Sequence, residues 1–283
     1  MILGALLAVL VSTSPPAKVE ARFVTFGRSG EWVALEVHSR KPERIVLPPP
    51  YRARTLTLST DGRYVVFTAY DETARNDLMY RWEWRSDTAP VRIGRELGFH
   101  ADPALSPDGK WVYYAHHPQM GGPPGQHQPQ ANAQLYRVRM DGTEVQAMTD
   151  EVGCHLSPTF RPDGELLYVH TLCSVTKKSL HLMKNGVVQP EVLAAEDLNE
   201  PAFSPDGKRL VFVARDGPHA VLKEWTSLKR PARVLHRLLL AEDFRARAQY
   251  GVDGREIFFQ DEQAVMVLAG GRVTRLFAVG EVP

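Results

Sequence analysis

A four-residue turn recurs along this chain and limits what it can fold into. Ser106-Pro107-Asp108-Gly109 and Ser204-Pro205-Asp206-Gly207 are identical, and Arg161-Pro162-Asp163-Gly164 differs at one place. Looser copies stand at Ser59-Thr60-Asp61-Gly62 and Gly251-Val252-Asp253-Gly254, with the most degraded at Gly27-Arg28-Ser29-Gly30. Proline presets the second turn position, aspartate suits the third, and glycine takes the left-handed conformation that follows. Each copy therefore reads as the tip of a tight β-hairpin.

The residues after each glycine set a register. Three positions on stand Val33, Val65, Val112, Leu167, Leu210 and Ile257; five positions on stand Leu35, Phe67, Tyr114, Val169, Phe212 and Phe259. That two-residue spacing fills one face of a strand. The other face carries Trp32, Tyr64, Trp111 and Leu166, then Arg209 and Glu256 in the last two copies. Strands apolar on both faces belong to sheets packed between other sheets. The turn glycines step mostly by about 45 residues, the period of a four-stranded propeller blade. The expected fold class is all-β, a six-bladed β-propeller. Third strands read at Leu78–Trp84, Gln134–Met140, Leu180–Lys184, Val221–Trp225 and Ala264–Leu268, and fourth strands at Val145–Met148 and Arg272–Phe277. The first blade is short, with Arg44–Leu47 left before Pro48-Pro49-Pro50.

The pattern Pro-x-x-Ser-Pro-Asp-Gly-Lys followed by an apolar strand, at Pro103–Tyr114 and Pro201–Phe212, resembles the repeat of TolB-type (WD40-like) propellers. The resemblance covers nearly all of the chain after its first residues, and it implies a fold more firmly than a function. TolB carries an additional amino-terminal α/β domain, for which this chain has no room. Related propellers precede the hydrolase domain of prolyl oligopeptidases, which is also missing here.

Composition narrows the function classes. Hydrophobic residues make up 43% of 283, enough for a core, and the net charge of +1 gives no excess to attract nucleic acid. The apolar run Ile2–Val11 is too short to span a bilayer but suits a signal peptide, although no Lys or Arg precedes it. Residues 1–17 are therefore expected to be a signal peptide and 18–283 the propeller, placing the protein in the periplasm or outside the cell. No other segment could span a membrane.

Histidine placement supplies the candidate site. His100 and His155 begin inner strands at matching positions of adjacent blades, and His38, His116, His117, His127, His170 and His219 fall at or beyond second-strand ends. On a propeller these positions share one face. His100, Asp102, His117, His155 and His170 are thus the candidate ligand-binding set, for a protein or glycan of the cell envelope. A divalent metal is the alternative occupant, although no His-x-His or His-Glu-x-x-His spacing is present. The Gly-, Pro- and Gln-rich loop Pro118–Ala133 is the surface candidate. No nucleophile elbow, phosphate loop or zinc-protease motif occurs, so the expected function is a non-enzymatic binding scaffold without a cofactor. The competing reading is a metal-dependent lyase or hydrolase acting on saccharide or peptide, as the resemblance implies for some propellers of polysaccharide degradation. The two cysteines, Cys154 and Cys173, flank the fourth blade's hairpin and are expected to form a disulfide.

Overall fold

The computed structural model describes residues 22–282 except 27–29, 95–97, 119–131, 173–176, 185, 190–192, 197, 218, 227–229, 240–245 and 263. Its strands form six antiparallel sheets, each from one continuous stretch of chain. The inner strands are Arg22–Phe26, Ala53–Leu58, Phe99–Leu105, Cys154–Phe160, Leu198–Phe203 and Ala248–Tyr250. They surround a channel of about 510 Å³. The chain is a six-bladed propeller.

The turn motif is a hydrogen-bond device. In blade 3, Ser106 Oγ donates to Asp108 Oδ1 (2.6 Å) and accepts the Trp111 N–H (3.0 Å), while Gly109 N–H returns to Ser106 O (2.8 Å). Blades 2 and 5 repeat this with Ser59 and Asp61, and with Ser204 and Asp206. Gly109 and Gly207 sit at φ 68°, a conformation that costs other residues about 1 kcal/mol or more.

In blade 4 Arg161 replaces the serine, and the turn closes one residue sooner, from Arg161 N–H to Glu165 O (2.8 Å). This shifts the register. Phe160 pairs with Leu166, whereas Leu105 pairs with Val112. Tyr168 and His170 are therefore the counterparts of Tyr114 and His116, one position earlier than a count from the glycine gives.

The double-sided apolar strands pack as their composition requires, with an apolar cluster in every seam. Phe67 and Trp82 meet Trp32 and Ile45 between blades 1 and 2, and Tyr114 meets Met79 between blades 2 and 3. Tyr168 meets Tyr113, Phe212 meets Val169, and Phe259 meets Val211 in the next three. Phe258 and Val267 close the ring against Phe23 and Leu35. Thr25 Oγ1 donates to Gln260 Oε1 across that last seam, and Arg40 Nη2 pairs with Glu256 Oε1 at 2.6 Å. Among the described residues the first blade has three strands, ending at Pro42–Ile45. Its last described strand carries Pro42 and the charged residues Glu43 and Arg44, which disfavour edge pairing with another chain.

Candidate functional site

The channel wall is built from a backbone irregularity repeated around the ring. In blades 3, 4 and 5 the inner strand slips register just before its proline, and the residue at the slip is left-handed: Asp102 (φ 51°), Ser157 (47°) and Glu200 (47°). Each stands three residues before the last inner-strand residue, and Arg247 holds the same place in blade 6. All four line the channel. Non-glycine residues held in this conformation cost about 1 kcal/mol or more each and concentrate at functional sites.

These four side chains form a polar arc. Asp102 Oδ2 accepts the Ser157 N–H (3.2 Å) and Oγ–H (3.3 Å), tying blade 3 to blade 4. Arg247 Nε lies 3.7 Å from Glu200 Oε2, and its Nη1 donates to Leu56 O (2.8 Å). Its guanidinium also lies over the Trp32 ring, 5.3 Å from the centroid. Phe23 and Leu56 border the channel in blades 1 and 2 with their side chains buried in the seams, so the charged groups of the arc lie on the side of blades 3 to 6.

The histidines occupy the seams instead. His100 and His155 are both fully buried. His100 Nδ1 contacts Asp77 O of blade 2 at 3.0 Å, and His155 Nδ1 contacts Ala133 O of blade 3 at 2.9 Å. A carbonyl oxygen can only accept, so Nδ1 carries the hydrogen in both rings. Each has a histidine directly across the hairpin, His116 for His100 and His170 for His155, with ring centroids 5.2 and 4.9 Å apart. Tyr114 and Tyr136 complete the first cluster; Tyr168 and His181 complete the second.

The candidate set thus divides. His155 and His170 lie together in the blade 3 and 4 seam, where Asp102 also bonds Ser157. His100 lies on the other side of blade 3, toward Asp77. His117 pairs with Phe99, and burial lowers its pKa against an opposing pull from the Asp102 carboxylate. Burial likewise holds the His155 imidazole below its ordinary range, with only partial offset from its bond to Ala133. His127 and most of the Pro118–Ala133 loop lie outside the described residues.

Sequence reasoning missed His116, His181, Tyr114 and Tyr168 as partners, and Glu200 and Arg247 altogether. A readable signal existed for the first group. Gly98-Phe99-His100 with Tyr114-Ala115-His116 repeats as Gly153-Cys154-His155 with Tyr168-Val169-His170. Both glycines have positive φ, and the opposing histidine packs against the position where a side chain would begin.

Among the described residues, no three His, Cys, Asp or Glu side chains are placed to hold a metal ion. His100 and His155 each commit one ring nitrogen to a backbone carbonyl of the neighbouring blade. Ser157 donates to the Asp102 carboxylate, and among the described residues no imidazole is bonded to its hydroxyl.

The sequence matches no family model and no curated protein sequence. Solved structures share its fold. TolB from Acinetobacter baumannii is 20% identical with a TM-score of 0.58, covering 76% of this chain and 51% of that one. The chain therefore spans about half the length of that TolB. A chain of a nidogen/laminin complex gives a TM-score of 0.64 at 14% identity, covering 90% and 92%. An oligogalacturonate lyase in complex with manganese gives 0.58 at 14%, covering 88% and 70%. The protein is a six-bladed β-propeller of the TolB-like architecture. No helix among the described residues is long and apolar enough to cross a membrane.

Proposed function

We propose that this chain is an exported, non-enzymatic propeller, periplasmic or secreted, that binds a protein or glycan of the cell envelope at its channel. The observation that carries the reading is the arc Asp102, Ser157, Glu200 and Arg247. Three of its four members occupy a costly backbone conformation that aims short polar side chains at a common space. Preorganised polar groups that converge on a concave channel suit a binding site. Asp102 is the proposed ligand contact, with His117 beside it, and His100, His155 and His170 hold the blades that present it.

The test is capture of ligands from envelope extract by the tagged chain, compared with the double variant Glu200→Ala, Arg247→Ala. A ligand retained by the parent and lost by the folded variant supports the reading. The second reading, a metal-dependent lyase or hydrolase, draws on the likeness to the manganese-bound oligogalacturonate lyase. Stoichiometric divalent metal in the purified protein, together with cleavage of an oligosaccharide or peptide, would establish it and overturn ours.

Export also bears on the cysteines. Cys154 is buried at the start of its inner strand, opposite Thr171, while Cys173 and residues 1–17 lie outside the described residues. We expect denatured, unreduced protein purified from the exported fraction to show no free thiol. Two thiols per chain would refute the bond.

A further inference from the structure

Blades 3 and 4 are joined by a clasp centred on one histidine. Gly153 N–H donates to Asn132 Oδ1 (3.1 Å), Ala133 N–H to Gly153 O (3.1 Å) and His155 N–H to Ala133 O (2.8 Å). His155 Nδ1–H donates to the same Ala133 oxygen at 2.9 Å. A parallel bridge between Ala133 and Cys154 lies within the clasp. With Nδ1 protonated, the neutral ring keeps its lone pair on Nε2, which is buried and hydrogen-bonded to nothing among the described residues.

The surroundings decide what a second proton would meet. From its own blade His155 faces His170 and Tyr168 of the second strand and His181 of the third. Glu151, just before the inner strand, is the nearby acid. His170 Nε2 donates to Val152 O (3.2 Å), and Ser179 Oγ contacts His181 Nε2 (3.0 Å). Across the seam, Asp102 of blade 3 is bonded to Ser157, two residues beyond His155, and it pulls on the half-buried His117. An imidazolium at His155 would thus be a desolvated cation among two further imidazoles, with an N–H that has no acceptor among the described residues.

We infer that His155 makes this clasp an acid-opened latch, whose proton uptake at Nε2 parts the blade 3 and 4 seam beside the channel. The sign follows from linkage. The closed form keeps the ring neutral, whereas an opened form exposes an imidazole that takes up a proton near pH 6.5. The closed form is therefore fully favoured above that pH and loses ground as pH falls below it. If the closed ring takes no proton, the opening equilibrium rises about 30-fold between pH 7.5 and pH 5.0. The latch does not depend on what the channel binds, and it can be read with no ligand present.

Hydrogen exchange measured by mass spectrometry, corrected for intrinsic rates, tests it on the full chain at the two pH values. Protection over 132–139 and 153–160 should fall about 30-fold at pH 5.0, while 198–203 in blade 5 stays unchanged. In His155→Gln, whose amide can donate to Ala133 O but takes up no proton, the change should shrink to less than about 3-fold. Unchanged protection in the parent, or an equal fall in His155→Gln, would overturn the inference. If the variant fails to fold, NMR titration of the parent decides: a His155 pKa at or above its ordinary value in the closed protein overturns the latch.

Discussion

Replacing Gly153 by alanine should destabilise the protein by about 3–4 kcal/mol, among the larger effects a single methyl group can have. Gly153 has φ 132°, and an added Cβ would lie 2.5 Å from His170 Nε2 and 2.9 Å from Thr171 O. The second of these is backbone of the paired strand and cannot swing aside. Movement of Gly153 would also disturb its bonds to Asn132 and Ala133, and with them the join between blades 3 and 4. Gly164→Ala is the control, because its φ is 93° yet nothing lies within 4 Å of the added carbon. That change should cost only about 1 kcal/mol of backbone preference. Urea unfolding of the two variants separates the steric part from the conformational part. Equal losses would show that the packing of His170 against Gly153 contributes nothing.

The next largest effect is expected at Glu224. Its carboxylate is 3% exposed and accepts hydrogen bonds from Arg233 Nη2 (2.7 Å) and Tyr250 Oη (2.8 Å), with Arg209 Nη1 at 3.6 Å. Arg209 in turn donates to Gly254 O of blade 6 at 2.6 Å, and its guanidinium lies over the Tyr250 ring. Burial and the neighbouring carboxylate both push the Tyr250 phenol well above its ordinary pKa. Glu224→Ala leaves a buried hydroxyl and a half-buried guanidinium without their shared acceptor, at a cost of about 3 kcal/mol. Arg233→Ala should cost less than about 1 kcal/mol, because that side chain is 69% exposed and water replaces the bond. Denaturant midpoints of both variants check the ordering; a larger loss at Arg233 would mean that the pair, and not the buried acceptor, holds this seam.

The same residues show how much could be read in advance. Arg209 stood out in the sequence as a cation on a face that other copies fill with Trp, Tyr or Leu. Its reason, a carboxylate fifteen positions later on the third strand, needs the strand pairing and is invisible to a turn-based register. The hairpins themselves were legible because their chemistry is local: serine, aspartate and glycine bond within six residues. His100 and His155 were correctly placed at matching inner-strand positions. Their direction was not legible, because the edges of the inner strands, and not their faces, border the channel. A side chain reaches the channel where the strand slips, as at Asp102, Ser157 and Glu200. The proline after each slip was visible as part of the repeat, but its consequence for the preceding residue belongs to the folded backbone. The polar arc was therefore hidden in plain view, one position before a motif residue.

The self-contained sheets have a topological consequence. Every described ladder is formed within one stretch of chain, and the seam between blades 6 and 1 is held by Phe23, Phe258, Thr25 and Gln260 without a shared strand. Many closed rings need a strand lent from one end of the chain to the other, which fixes where such a ring can be cut. Here, joining residue 282 to residue 22 through a linker and reopening the chain at a blade-to-blade connection would leave every described strand pairing intact. Blade 1 is first only by the order of synthesis, and circularly permuted versions of the sequence encode the same wheel.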